Sequence, residues 1–275
     1  MTTSDAPLEL REVRGPSALG GGWRRALDLL YLIAITEFKR SYLGTALGYL
    51  WSLARPLLLF AVLLVVFTQA FDLGDRVTHY PTLLLFNIVL FGFFQEATTQ
   101  AVPAIVTQEA VVRKTQFPRL VIPLAVVLTS VFNLVVNLAV VFVFILAAGI
   151  SPMWTWLLFP LVLLALLVFT TATAMILSAL YPRFRDTGII WGVVATALFY
   201  ATPVLYPIDI VTETLHDLIS LNPLTPLFEL ARKWVIDPGA AGPGELWVPA
   251  AIFVVVCVLS VWIFNREAPR IAEEL

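Results

Sequence analysis

The sequence predicts an all-α integral membrane protein. It comprises six transmembrane helices, an N-terminal amphipathic interface helix, and two short re-entrant outer helices between spans five and six, with both termini in the cytoplasm. Three observations carry this. Hydrophobic residues make up 60% of the chain and charged residues 13%, with a mean hydropathy of +0.91. Soluble domains hold roughly 25% charged residues, so this chain has about half their share. Six apolar runs recur, over residues 50–72, 83–106, 120–148, 154–180, 188–205 and 246–264. A helix rising about 1.5 Å per residue needs about 20 residues to cross ~30 Å of hydrocarbon, and all but the marginal run 188–205 meet or approach that length. Finally, of the 17 Lys and Arg, only Arg76, Arg232 and Lys233 fall in the loops of one side. Positive residues remain in the cytoplasm, which fits an even number of crossings.

The elements follow in order. Residues 1–22 are polar and Gly-rich, without the apolar stretch of a cleaved signal, and are expected to form a mobile cytoplasmic N-terminus. Residues 23–41 form the amphipathic interface helix, whose short apolar centre lies between Arg24, Arg25 and Asp28 at one end and Glu37, Lys39 and Arg40 at the other. Such a segment suits the membrane–water boundary, either as an anchor or as a docking surface for a cytoplasmic partner. Residues 42–265 hold the six-span transmembrane domain, and 266–275 a cytoplasmic tail.

Gly44, Gly48 and Pro56 punctuate the entry to span one, where Arg55 can snorkel to the headgroups. A short outer loop leads to span two, and a basic inner turn leads back into span three. Gly149-Ile150-Ser151-Pro152 reads as a tight outer turn. At the next inner turn Pro182 ends one helix and Asp186 is available to cap the following one. Pro203 and Pro207 then break span five. Two amphipathic segments, about 208–221 and 224–236, are too short to cross and are expected to dip into the outer leaflet. Irregular backbone at that depth is tolerated only where protein or a water-filled cavity surrounds it.

Several chemistries are excluded. No G-x-x-x-x-G-K-[ST], H-E-x-x-H or G-x-S-x-G motif occurs. Cys257 is the sole cysteine, and His79 and His216 lie apart, so neither a disulfide within the chain nor a metal site is expected. Acidic residues are scattered singly, which disfavours an enzyme, and no feature points to nucleic acid.

Two features remain. Glu96 is the one carboxylate well inside an expected span, with no Lys or Arg expected at its depth; buried charge there marks either a functional site or a helix-packing contact. Tyr42, Tyr49, Trp51, Phe60 and Phe67, with Trp191, Phe199 and Tyr200, form an aromatic series. Interfacial belts use such residues without any ligand. The alternative is a pathway on which sugar rings stack by their apolar C–H faces.

Three stretches together resemble a known family: 37–58 with Leu-Gly-Tyr-Leu-Trp, 91–123 with Phe-Pro-Arg, and 181–207 with Arg-Phe-Arg-Asp, followed by Leu221-Asn222-Pro223. In that order they resemble the permease subunit of ABC-2 type exporters of polysaccharides and polyol phosphates. The resemblance covers nearly the whole chain from about residue 23. It implies a homodimeric, multi-pass permease of the bacterial inner membrane with two copies of a separate ABC ATPase docked beneath. ATP and Mg would be bound by that partner, with no cofactor in this chain and no catalysis by it alone. The implied cargo is a polyprenyl-diphosphate-linked glycan such as galactan, O-antigen or teichoic acid. The alternatives are an ABC-2 exporter of a drug or lipid, or an ATP-independent lipid flippase. The resemblance places ATPase coupling on Arg24, Arg25, Glu37, Lys39, Arg40, Glu109, Arg113, Lys114, Phe117, Pro118 and Arg119, and the short inner loop on Arg183, Arg185 and Asp186.

Overall fold

A computed structural model describes residues 22–42, 48, 50–108, 119–240 and 242–274. Every regular element among them is helical: α1 (Gly22–Tyr42), α2 (Leu50–Gln69), α3 (Leu73–Arg76), α4 (Tyr80–Ala101), α5 (Ala104–Thr107), α6 (Val121–Ala147), α7 (Phe159–Leu180), α8 (Thr187–Ala201), α9 (Glu213–Ser220), α10 (Thr225–Val235) and α11 (Trp247–Glu274). Short 3-10 turns at Trp154–Leu158 and Ile208–Ile210 precede α7 and α9. The expected N-terminal segment up to residue 21 lies outside the described residues.

Among the described residues five helices are long and apolar enough to cross a membrane: Leu50–Gln69, Tyr80–Ala101, Val121–Ala147, Trp154–Leu180 and Trp247–Glu267. Their environments differ sharply. Over an apolar stretch of 18 residues in each, 78% of α4 is buried against 6% of α2. Helix α4 is the hub, packed against α2, α6, α7 and α8, while α1 lies along α6 and α11 along α7. Hydropathy tracks this arrangement. The exposed α2 averages 2.3 and α4 only 1.3, because a helix wrapped in its own chain can carry Thr, Asn, Gln and Glu at lower cost than one facing hydrocarbon.

The expected fifth span is shorter than anticipated. Its helix, α8, has 15 residues and stops at Ala201. Thr202 is extended, with φ −100 and ψ 146, because the ring of Pro203 disfavours a helical residue before it. The chain nevertheless continues antiparallel to α4 along its length. A Cβ at Gly188 would lie 3.6 Å from Val102, and Trp191 Nε1 donates to Thr98 Oγ1 (3.2 Å). Phe199 meets Phe91 at 5.3 Å, Asn87 Nδ2 donates to Pro203 O (3.0 Å), and Tyr80 OH donates to Leu205 O (3.0 Å).

The turn anticipated at Gly149 closes α6 with a Schellman pair: Ile150 N donates to Ile145 O (3.3 Å) and Gly149 N to Leu146 O (3.1 Å). Gly149 takes φ +80, which a side chain would resist. Asp186 occupies the N-cap position of α8, but its side chain makes no capping hydrogen bond, so that expected cap is not used. Span two ends earlier than expected, since α4 stops at Ala101 and Pro103 separates it from α5.

Candidate functional site

The polar residues of α4 and α6 converge on one groove. It encloses about 440 Å³ between α2, α4 and α6, with Phe199 of α8 on its rim. Helix α2 contributes Ser52, Arg55, Pro56 and Leu59, while α4 contributes Gln95, Glu96, Thr99 and Gln100 among others. From α6 come Ser130, Asn133, Leu134 and Asn137, spaced three and four apart on one helix face.

Glu96 is the centre. Asn133 Nδ2 donates to its Oε1 at 2.7 Å and Gln100 Nε2 to the same oxygen at 3.1 Å. The Asn133 contact joins α4 to α6 across 37 residues of sequence, and Asn137 Nδ2 donates to Asn133 O (2.8 Å). Among the described residues no donor reaches Glu96 Oε2, and the hydroxyl of Ser130, a residue 1% exposed, makes no hydrogen bond. The sequence gives no reason to expect a cation near Glu96, yet Arg55 lines the same groove, and that expectation is corrected. Antiparallel packing of α2 on α4 brings the start of one beside the end of the other.

A smaller cavity of about 220 Å³ lies beneath α1, lined by Glu37, Gln100, Ala104, Thr107, Gln108, Val126 and Thr129. Gln100 borders both cavities. Helix α1 is held to α6 by the approach of Thr129 Oγ1 to Ala34 O (3.2 Å) and by the edge-on pair Phe38–Phe132 at 5.7 Å. The amphipathic helix is therefore seated on the bundle, near the Gln100 end of the groove.

The aromatic residues divide. Phe60 is buried and packs edge-on to Phe144 at 5.9 Å, and Trp191 is buried against Phe94 at 6.0 Å. Phe67 stacks on Phe71 at 5.1 Å. Trp51 and Tyr200 are exposed, and Phe199 packs between Phe91 and Tyr200. Among the described residues of the series, Phe199 reaches the groove. Tyr42 ends α1, and Tyr49 lies outside the described residues.

Of the residues assigned to coupling, Arg24, Arg25, Glu37, Lys39 and Arg40 lie on α1. Arg119 is half-buried at the start of α6, whereas Glu109, Arg113, Lys114, Phe117 and Pro118 lie outside the described residues. In the loop between α7 and α8, Arg183 approaches Glu267 of α11 at 3.9 Å, and Arg185 sits 5.2 Å over the Tyr181 ring.

A second polar centre, absent from the sequence-level site, fixes the stretch after α8. Arg232, 8% exposed, meets Asp209 (2.9 Å), Glu229 (3.5 Å) and Asp237 (3.6 Å). Glu229 Oε1 also accepts from Ile208 N (3.3 Å). Burial pushes the Glu229 carboxyl above the usual carboxylate range, against the opposing pull of the Arg232 guanidinium. Asn222 Nδ2 bridges to Thr202 Oγ1 (2.8 Å), while Thr155 and Trp156 donate to the carbonyls of Trp234 and Val235 at 2.7 and 3.0 Å. The i, i+3 spacing of Glu229 and Arg232 was a legible signal for one ion pair. Asp209 and Asp237 join only through the fold.

Comparison with known proteins adds a lineage to this geometry. A family model described as ABC-2 type transporter matches residues 28–235. The chain is similar to a protein of Klebsiella pneumoniae called O-antigen export system permease protein RfbA, at 28% identity over 90% of this chain and 95% of that one. A protein of the same name from Myxococcus xanthus is 30% identical over the same shares.

Proposed function

The chain belongs to the ABC-2 type transporter family, and we propose that it is the membrane subunit of an ATP-driven exporter of lipid-linked polysaccharide. It is a multi-pass protein of the bacterial inner membrane. The observation that carries the reading is likeness over nearly full length to proteins named for O-antigen export. The cargo proposed here is a glycan on a polyprenyl diphosphate, of the O-antigen, galactan or teichoic-acid kind.

Six crossings with both ends inside fit the packing. The Arg183–Glu267 contact brings the start of α8 beside the inner part of α11, whereas Leu205 meets Tyr80 at the opposite end of α4. If α8 and residues 202–205 together run the depth of α4, this segment is a sixth crossing despite its short helix. The segments α9 and α10 then fold back on the outer side as re-entrant elements, capped by the Arg232 cluster.

ATP and Mg are assigned to a separate ABC ATPase, in two copies beneath a homodimer of this chain. The sequence carries no phosphate-cradling loop, which supports a borrowed motor. Helix α1 is a suitable lever: its basic ends offer charge to a partner, and its packing on α6 conveys rigid-body motion into the bundle. The coupling set Arg24, Arg25, Glu37, Lys39, Arg40, Glu109, Arg113, Lys114, Phe117, Pro118 and Arg119 is proposed as the docking face. A second copy set against the exposed apolar flank of α2 and α8 would enclose a pathway with Trp51, Phe199 and Tyr200 toward it.

The test is co-reconstitution with the cognate ATPase in vesicles and assay of lipid-linked glycan passage. ATP-dependent passage requiring both chains is expected, with stimulation lost when Arg24, Arg25, Lys39 and Arg40 become Gln. Passage by this chain alone without nucleotide would overturn the reading.

A further inference from the structure

We propose that the groove between α2, α4 and α6 is a binding site for a neutral sugar ring, held by Glu96, Asn133 and Ser130. This deepens the exporter reading and rests on it for biological meaning, though not for its chemistry.

Four observations converge. The groove's volume of about 440 Å³ falls in the roughly 300–1,000 Å³ range of small-molecule sites. Its polar groups are only partly engaged: both donors to Glu96 land on Oε1, leaving Oε2 free among the described residues, and Ser130 Oγ is buried without a partner. A buried hydroxyl left unmade costs free energy, so an unpaired hydroxyl on a residue that lines a cavity points to a ligand that completes it.

Charge narrows the class. Glu96 and Arg55 line the groove together and oppose each other, so it offers little net charge to select an anion or a cation. A ring of hydroxyls, each both donor and acceptor, matches a carboxylate oxygen that accepts, a hydroxyl that does either, and carboxamides at Asn133 and Asn137. Shape agrees with this. Pro56, Leu59 and Phe199 provide apolar walls for the C–H face of a ring. The groove thus combines hydrogen-bonding groups with apolar surface, as a polyol ring requires. Gln100 borders both this groove and the cavity beneath α1.

The test uses dodecyl maltoside as probe, with dodecyl phosphocholine as a tail-matched control. A reporter cysteine is placed at the exposed Thr99 (Thr99→Cys in a Cys257→Ser background) in the full chain in nanodiscs, and its labelling rate with a methanethiosulfonate is followed. The maltoside is expected to slow labelling and the phosphocholine to leave it unchanged. Glu96→Gln keeps a hydrogen-bonding group and should weaken the maltoside protection about tenfold, as loss of a charge-assisted hydrogen bond does. Ser130→Ala should weaken it by less. Equal protection by both amphiphiles, no protection by either, or maltoside protection unaltered by both substitutions would overturn the site. Failure of the site with intact ATP-dependent glycan passage leaves the exporter reading standing. Protection without any passage when the ATPase is present removes the exporter reading and leaves a sugar site.

Discussion

The Arg232 cluster and the Glu96 groove both bury charge in a largely apolar molecule, and they handle it in opposite ways. Around Arg232 three carboxylates converge on one guanidinium, and the neighbouring backbone is bonded by Asn87, Tyr80, Asn222, Thr155 and Trp156. Around Glu96 one oxygen takes two donors while the other takes none among the described residues, and the Ser130 hydroxyl stands unpaired beside a cavity. The first centre uses polarity as a fastener for backbone that has left the helical state. The second holds polarity in reserve. Among the described residues each centre keeps a buried atom without a hydrogen bond, Glu229 Oε2 in the first and Ser130 Oγ in the second; what sets the second apart is that its polar residues line a groove.

Substitutions sharpen or break this contrast. The largest effect is expected from Arg232→Ala, which strands Asp209, Glu229 and Asp237. Removing one partner of a buried pair costs about 3–5 kcal/mol, so the thermal unfolding midpoint of the purified chain should fall markedly. Asn87→Leu comes next, because the carbonyls of Pro203 and Val204 lose their donor, at about 1–3 kcal/mol by the same measurement. Glu96→Gln should change stability by less than about 1 kcal/mol, since a carboxamide can still accept from Asn133, while glycan passage in vesicles drops. The smallest stability effect belongs to Ser130→Ala, within about 0.5 kcal/mol of zero, because no hydrogen bond is lost among the described residues. Should Glu96→Gln or Ser130→Ala unfold the chain as readily as Arg232→Ala, the two centres are alike and the contrast is gone.

Much of the architecture was legible. The apolar runs located the five long helices, and Pro203 marked the end of α8. Glu96 was visible because an ionisable residue in an apolar run stands out. Its partners were not. Asn133 and Asn137 sit in a run whose other residues are Val, Leu and Phe, and nothing local says which face of α6 meets α4. Arg55 was read as a snorkelling cation because depth along a single helix can be counted, whereas its lateral neighbour cannot. Of the aromatic series, Phe60 and Trp191 turned out to be packing residues. A ring's identity gives its capacity to stack, not the side of the helix it occupies after assembly.

The amino-acid sequence alone determined that the chain lives in lipid, which segments are helical, and which stretch must be irregular, because those follow from transfer free energy, helix rise and proline geometry, all local quantities. Tertiary structure decided which polar residues meet. Helix α4 became the hub, α2 and α6 closed a groove on its C-terminal half, and residues after α8 folded back over its N-terminal end. Lipid gives little preference among apolar faces, so side-chain packing and a handful of interhelical hydrogen bonds fix the rotation of each helix, and those depend on pairs far apart in the chain.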